Sequence, residues 1–220
     1  MKPLAATVLG LCLAASSGAA TFTVTNTADS GAGSLRRAIT DANTAAGLDT
    51  IAFNVSGAGC AGSGVCTIAP TTQLPFFTSP VLIDGYTQPG SSPNTVAQGA
   101  LNTILKIVLS GANIPGQYGL YITDTADGST IRGLVVNGGF NYGIISFFSD
   151  GSTVRGCFVG VDAAGTTKLP NVWGVDAGIS DTERRRFTGL DVLHELGWLD
   201  AMVGDLFGAS GFWRGSRAVA

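Results

Sequence analysis

Asp127–Val136 reads DGSTIRGLVV and Asp150–Val159 reads DGSTVRGCFV, a repeat offset by 23 residues with seven of ten positions identical. Gly119-Leu120-Tyr121-Ile122 and Gly143-Ile144-Ile145-Ser146 recur in the same way, 24 residues apart. A unit of this size cannot bury a hydrophobic face alone. It must stack on its neighbour, and a fixed period therefore implies a stacked architecture.

The units are rich in Gly, Ser, Thr, Asn and Val, with short apolar runs at Ile131, Leu134–Val136, Ile144–Ile145 and Phe158–Val159. Those runs suit strands rather than amphipathic helices. Gly133, Gly138, Gly143, Gly151 and Gly156 punctuate them as bends. Strands stacked unit on unit would pair in parallel, about 4.8 Å apart. The fold expected is all-β: a short right-handed parallel β-helix of about five coils, with an N-terminal capping helix and room for a C-terminal helix. A leucine-rich repeat has a similar period, but its Leu and Asn scaffold is absent. Ser129, Thr130, Ser152 and Thr153 are expected to stack at a corner, with Asp127 above or below Asp150.

The chain divides into four parts. Residues 1–20 read as a secretory signal: Lys2, an apolar stretch from Leu4 to Ala15, then small residues, with Gly18-Ala19-Ala20 offering cleavage before Thr21. The apolar run is too short for an ordinary membrane span. Residues 21–54 form a strand–helix cap. Phe22 and Val24 mark a strand. Ser34 is an N-cap, Leu35, Ala38, Ile39 and Ala42 form one helix face, and Gly47 is a terminator. Residues 55–177 are the coils. Residues 178–220 differ in character and are either a helical cap, over about Leu190 to Phe207, or unrelated sequence that interrupts a longer stack.

The residues of the N-terminal part resemble a known family. Val24-Thr25-Asn26-Thr27-Ala28-Asp29-Ser30-Gly31, Gly33-Ser34-Leu35-Arg36-Arg37-Ala38-Ile39, Asp41-Ala42-Asn43, Asp49-Thr50-Ile51, Phe53-Asn54 and Ile83-Asp84-Gly85-Tyr86-Thr87-Gln88-Pro89-Gly90 carry it. Together with the repeats, they resemble secreted bacterial parallel β-helix proteins with a CSLREA-type N-terminal region. Gly33 stands where the namesake motif has Cys. The resemblance implies a surface or extracellular role and no single shared reaction.

The chemistry is sparse. Cys60 and Cys66 flank a flexible link and are expected to form a disulfide in an exported chain, while Cys157 replaces Leu134 of the preceding repeat and reads as a core residue. His194-Glu195-Leu196-Gly197-Trp198 lacks the second His of a zinc protease motif, and the chain has no other His. No GxSxG elbow is present. No residue is assigned as catalytic and no metal site is expected, although Ca²⁺ shared by clustered carboxylates is a possibility for this kind of chain. Binding residues are sought instead at Asp124, Asp127 and Asp150 and at Tyr118, Tyr121 and Tyr142, because carboxylates hydrogen-bond hydroxyls and aromatic rings stack on sugar faces. Phe140, Phe147 and Phe148 lie near them in sequence. The net charge of −3 gives no footprint for nucleic acid. Arg132 and Arg155 recur at equivalent positions and are expected to form a surface ladder with Asp. The function expected is an exported binding or scaffold module for carbohydrate or a cell-surface component. The alternatives are a polysaccharide lyase or hydrolase, whose carboxylates would have to converge, and a truncated fragment without activity.

Overall fold

The computed structural model describes residues 18–96, 101–178 and 189–194. Its strands are β1 (Thr21–Val24), β2 (Asp49–Phe53), β3 (Cys66–Ile68), β4 (Val81–Asp84), β5 (Ile107–Ser110), β6 (Tyr118–Ile122), β7 (Thr130–Arg132), β8 (Val135–Asn137), β9 (Tyr142–Phe147), β10 (Thr153–Val159), β11 (Trp173–Gly178) and β12 (Gly189–His194). One helix, α1 (Leu35–Thr44), follows β1. Ser34 caps it by accepting the Arg37 amide, and Leu35, Ala38, Ile39 and Ala42 are buried. They pack on β1 and β2. The helix ends on Ala45 with an extended backbone, two residues before Gly47.

All strand pairings between these elements are parallel. Eight strands run in the order β1-β2-β4-β7-β10-β8-β5-β3, and β12 joins at β10 to make nine. A second sheet of three strands has the order β11-β9-β6. This corrects the expectation of a right-handed parallel β-helix of closed coils. Among the described residues the fold is mixed: two open parallel sheets and one α-helix. The physical cause lies in β10. Thr153–Arg155 pairs with β7, Phe158–Val159 pairs with β8, and the chain passes between them without leaving the sheet. Its bend falls between Arg155 and Cys157, where the register shifts. Strands on either side of the Gly133 and Gly156 bends therefore share one sheet instead of forming separate sides of a coil.

The tail differs from expectation as well. Gly189–His194, where a C-terminal helix was expected to begin, is strand β12 and pairs with β10. The rest of the expected helix and residues 1–17 of the expected leader lie outside the described residues. Among the described residues no helix is long and apolar enough to cross a membrane.

The core is a series of columns set by register. Ile51, Ile83, Ile131 and Val154 occupy neighbouring strands at matched positions and are fully buried. Burying such a side chain contributes roughly 1.5–3 kcal/mol. The corner serines are also internal. Ser129 Oγ donates to the Ala126 carbonyl and accepts the Val81 amide, and Ser149 and Ser152 share a 2.6 Å hydroxyl contact. Thr130 and Thr153 stack in register beside them. Cys60 and Cys66 are joined by a disulfide, and Cys157 is buried.

Candidate functional site

The three-stranded sheet is built from one short pattern used three times: Tyr118-Gly119-Leu120, Tyr142-Gly143-Ile144 and Trp173-Gly174-Val175. Register puts Tyr118 beside Tyr142 and Tyr142 beside Trp173. Leu120 and Ile144, the inward members, are buried to 1% exposure or less. The middle glycines permit this close stacking. A Cβ on Gly119 would sit 2.2 Å from the Gly143 carbonyl oxygen, and one on Gly143 would sit 2.8 Å from that of Gly174. No side chain fits there.

The rings form a continuous aromatic surface. Tyr118 and Tyr142 are 5.9 Å apart with planes 28° from parallel, and Tyr142 and Trp173 are 6.2 Å apart at 17°. Tyr121 stacks on Phe76 at 4.3 Å and meets Tyr118 edge-on at 5.2 Å. Phe147 extends the surface beside Tyr121 and holds Phe148 edge-on at 4.2 Å. Offset and edge-to-face contacts in this range are favourable for aromatic pairs. The column members are half-buried, while Phe76, Phe147 and Phe148 are 38–43% exposed. Phe140, by contrast, is fully buried and belongs to the core.

Tyr118 is held from one side by a side chain that imitates a strand. Gln73 Oε1 accepts the Tyr118 amide and Gln73 Nε2 donates to the Tyr118 carbonyl, both at 2.9 Å. Phe77 then pairs with Ile122 as a short parallel bridge. Phe148 is set differently. It has φ of 58°, the left-handed region that a bulky residue rarely adopts. An exposed aromatic held in that conformation at the margin of a ring cluster points to a role beyond packing.

The expected carboxylates separate into two groups. Asp124 is exposed and acts on Tyr121. Burial, Tyr118, Asp124 and Asp176 together hold the Tyr121 phenol above its ordinary range. Asp176, in register with Ile145 and thence with Tyr121, has its carboxyl pushed up by burial. Asp127 and Asp150 do stack, but their role is in the turns. Asp127 Oδ1 accepts the Asp150 amide at 2.6 Å, and the Asp150 carbonyl accepts the Gly128 amide at 2.7 Å. Of the sequence-derived residues, Tyr118, Tyr121, Tyr142 and Asp124 come together, whereas Asp127 and Asp150 belong to the repeat corner.

A second feature lies under the excursion after β4. A cleft of about 410 Å³ is lined by Tyr86, Asn94, Leu101, Thr103, Arg132 and Arg155, among others. Tyr86 lies over the bends of β10 and of the preceding unit, and its hydroxyl donates to the Gly156 carbonyl at 3.0 Å. The basic ladder is only half as expected. Arg132 pairs with Asp84, which is its register neighbour on β4. Arg155 is exposed and has no ion-pair partner among the described residues, with Asp191 at the next register position on β12.

Trp173, Phe76 and Asp176 were not singled out from sequence. Trp173 follows Tyr142 by 31 residues rather than 24, so the insertion around Gly160–Asn171 hides the third copy. The aromatic–Gly–aliphatic triplet itself was the available signal. Comparison with family models, with curated proteins and with solved structures finds no match.

Proposed function

We propose that this protein is an exported module that binds carbohydrate, or a cell-surface component presenting it, through the aromatic face of the three-stranded sheet. The observation that carries the reading is the in-register column Tyr118–Tyr142–Trp173, extended by Tyr121, Phe76 and Phe147. Exposed aromatic surface is costly in water and marks interaction sites when contiguous. A sugar ring offers a flat C–H face to a ring and hydroxyls to the carboxylates at its margin. Rings repeating at 5.9 and 6.2 Å suit a ligand that also repeats, such as a polysaccharide. Export rests on the leader pattern of residues 1–20.

A second reading has one observation in its favour. Asp176 keeps its proton more readily than an ordinary carboxyl, and Asp124 acts on the same tyrosine. Two carboxyl groups in unequal environments beside one sugar-binding surface are the elements of glycoside hydrolysis.

One experiment separates the two. A panel of polysaccharides, with and without Ca²⁺, is scored for binding and for chain shortening by the mature protein. Binding without shortening, weakened in Tyr142→Ala, supports the module. Shortening that disappears in Asp176→Asn supports the hydrolase. Neither, from a chain whose circular dichroism shows it folded, overturns both.

A further inference from the structure

Asp49 opens β2 and is fully buried. Its Oδ1 accepts the backbone N–H of Ala20 at 2.7 Å. Its Oδ2 is buried and has no hydrogen-bond partner. No Lys, Arg or His forms an ion pair with it among the described residues. A buried carboxylate with one oxygen unmatched and no counter-charge is strongly unfavourable. The group already in place is the nitrogen of Ala20.

Ala20 is anchored. Its carbonyl accepts the Thr50 amide at 2.8 Å, so it continues the β1–β2 ladder one residue beyond Thr21. Gly18 and Ala19, just before it, are exposed. The small residues Ser17-Gly18-Ala19-Ala20 satisfy the leader-cleavage pattern in two registers, after Ala20 or after Ala19. The cut expected from sequence is the first, before Thr21. The contacts of Ala20 favour the second.

We propose that the leader is removed between Ala19 and Ala20, and that the new α-ammonium of Ala20 is the missing partner of Asp49. Water adds across the Ala19–Ala20 amide under a leader-removing peptidase of the export machinery. The carboxylate stays on Ala19 of the released leader, and the amine stays on Ala20. That amine takes up a proton at neutral pH, since an α-amino group has a pKa of about 7.7–8.0. The nitrogen then carries three N–H donors where the amide carried one, which is enough for Oδ2 as well as Oδ1. Cleavage one residue later would discard both the nitrogen and the carbonyl that anchor this edge. Maturation therefore completes a buried ion pair, and the processed chain is more stable than its precursor.

The exported protein is tested first by intact mass and N-terminal sequencing, with Ala20 the expected first residue. Two full-length chains are then released from a cleavable fusion, one beginning at Ala20 and one at Gly18, each with and without Asp49→Asn. The Ala20 chain is expected to unfold about 5 °C above the Gly18 chain. Asp49→Asn should remove that difference and leave the Gly18 chain level or slightly raised. A first residue other than Ala20 overturns the proposal, as do equal melting temperatures for the two starts. Additive effects of the start and of Asp49→Asn also overturn it, because partners in a pair must couple. If Asp49→Asn fails to fold from either start, the comparison of the two wild-type starts decides.

Discussion

The two sheets of this protein are built by the same rule and differ in what they carry. In the nine-stranded sheet, register stacks like on like in a sealed column, Ile51–Ile83–Ile131–Val154. In the three-stranded sheet it stacks Tyr118–Tyr142–Trp173, and those rings are only half-buried. Parallel in-register stacking multiplies whatever residue occupies a position. Where that residue is aliphatic and enclosed, the product is stability. Where it is aromatic and open, the product is the ring surface on which the proposed binding rests.

The contrast can be broken from either side. The largest effect is expected in the aliphatic column. Ile131→Ala should lower stability by about 2–4 kcal/mol in denaturant titration, with no change in ligand affinity per folded molecule. Asp84→Ala strips the counter-charge from Arg132 and the Asp84 side chain's acceptance of the Tyr86 amide. It should cost about 2 kcal/mol, read in the same titration. Tyr142→Ala reverses the pattern: about 1 kcal/mol of stability, but at least roughly tenfold in glycan affinity by calorimetry. A Tyr142 variant that unfolds as readily as the Ile131 variant would erase the distinction between the sheets.

Smaller effects sharpen it. Phe148→Asn places a residue tolerant of positive φ where a bulky one is strained. It should raise stability by about 0.5 kcal/mol while weakening binding, the combination expected where strain serves a site. Asp176 is the smallest case and shows itself through pH. Its folded carboxyl is raised above the unfolded value of about 3.9, so the folded state holds its proton more tightly. That contribution is fully present below the unfolded value and is lost as pH rises through the folded one. Asp176→Asn should flatten this part of the stability–pH profile and leave the protein slightly more stable at neutral pH.

Much of the local structure was legible in the chain. The buried face of α1, its Ser34 cap, most strand positions and the stacked corner of Ser129 and Ser152 follow from period, capping and repetition. The closure of the repeats into β-helix coils did not follow. A period of 23 residues says that units stack, but it does not say whether a Gly bend turns the chain onto a new sheet. At Gly156 it keeps the chain in the same one. The candidate site was half legible for a related reason. Tyr118, Tyr121 and Tyr142 belong to the visible repeat. Trp173 is displaced by an insertion and Phe76 comes from outside the repeat, so only the folded chain brings them to the others.

The sequence alone determined the features that depend on local pattern: strand alternation, the helix face, the repeat, and a leader pattern over residues 1–20. The tertiary structure decided how strands were shared between sheets, which aromatics met, and that Asp49 was sealed beside the nitrogen of Ala20. Those outcomes depend on pairings between residues tens of positions apart. A one-residue change of register or a single bulge redirects every side chain that follows, and local pattern carries no record of that choice.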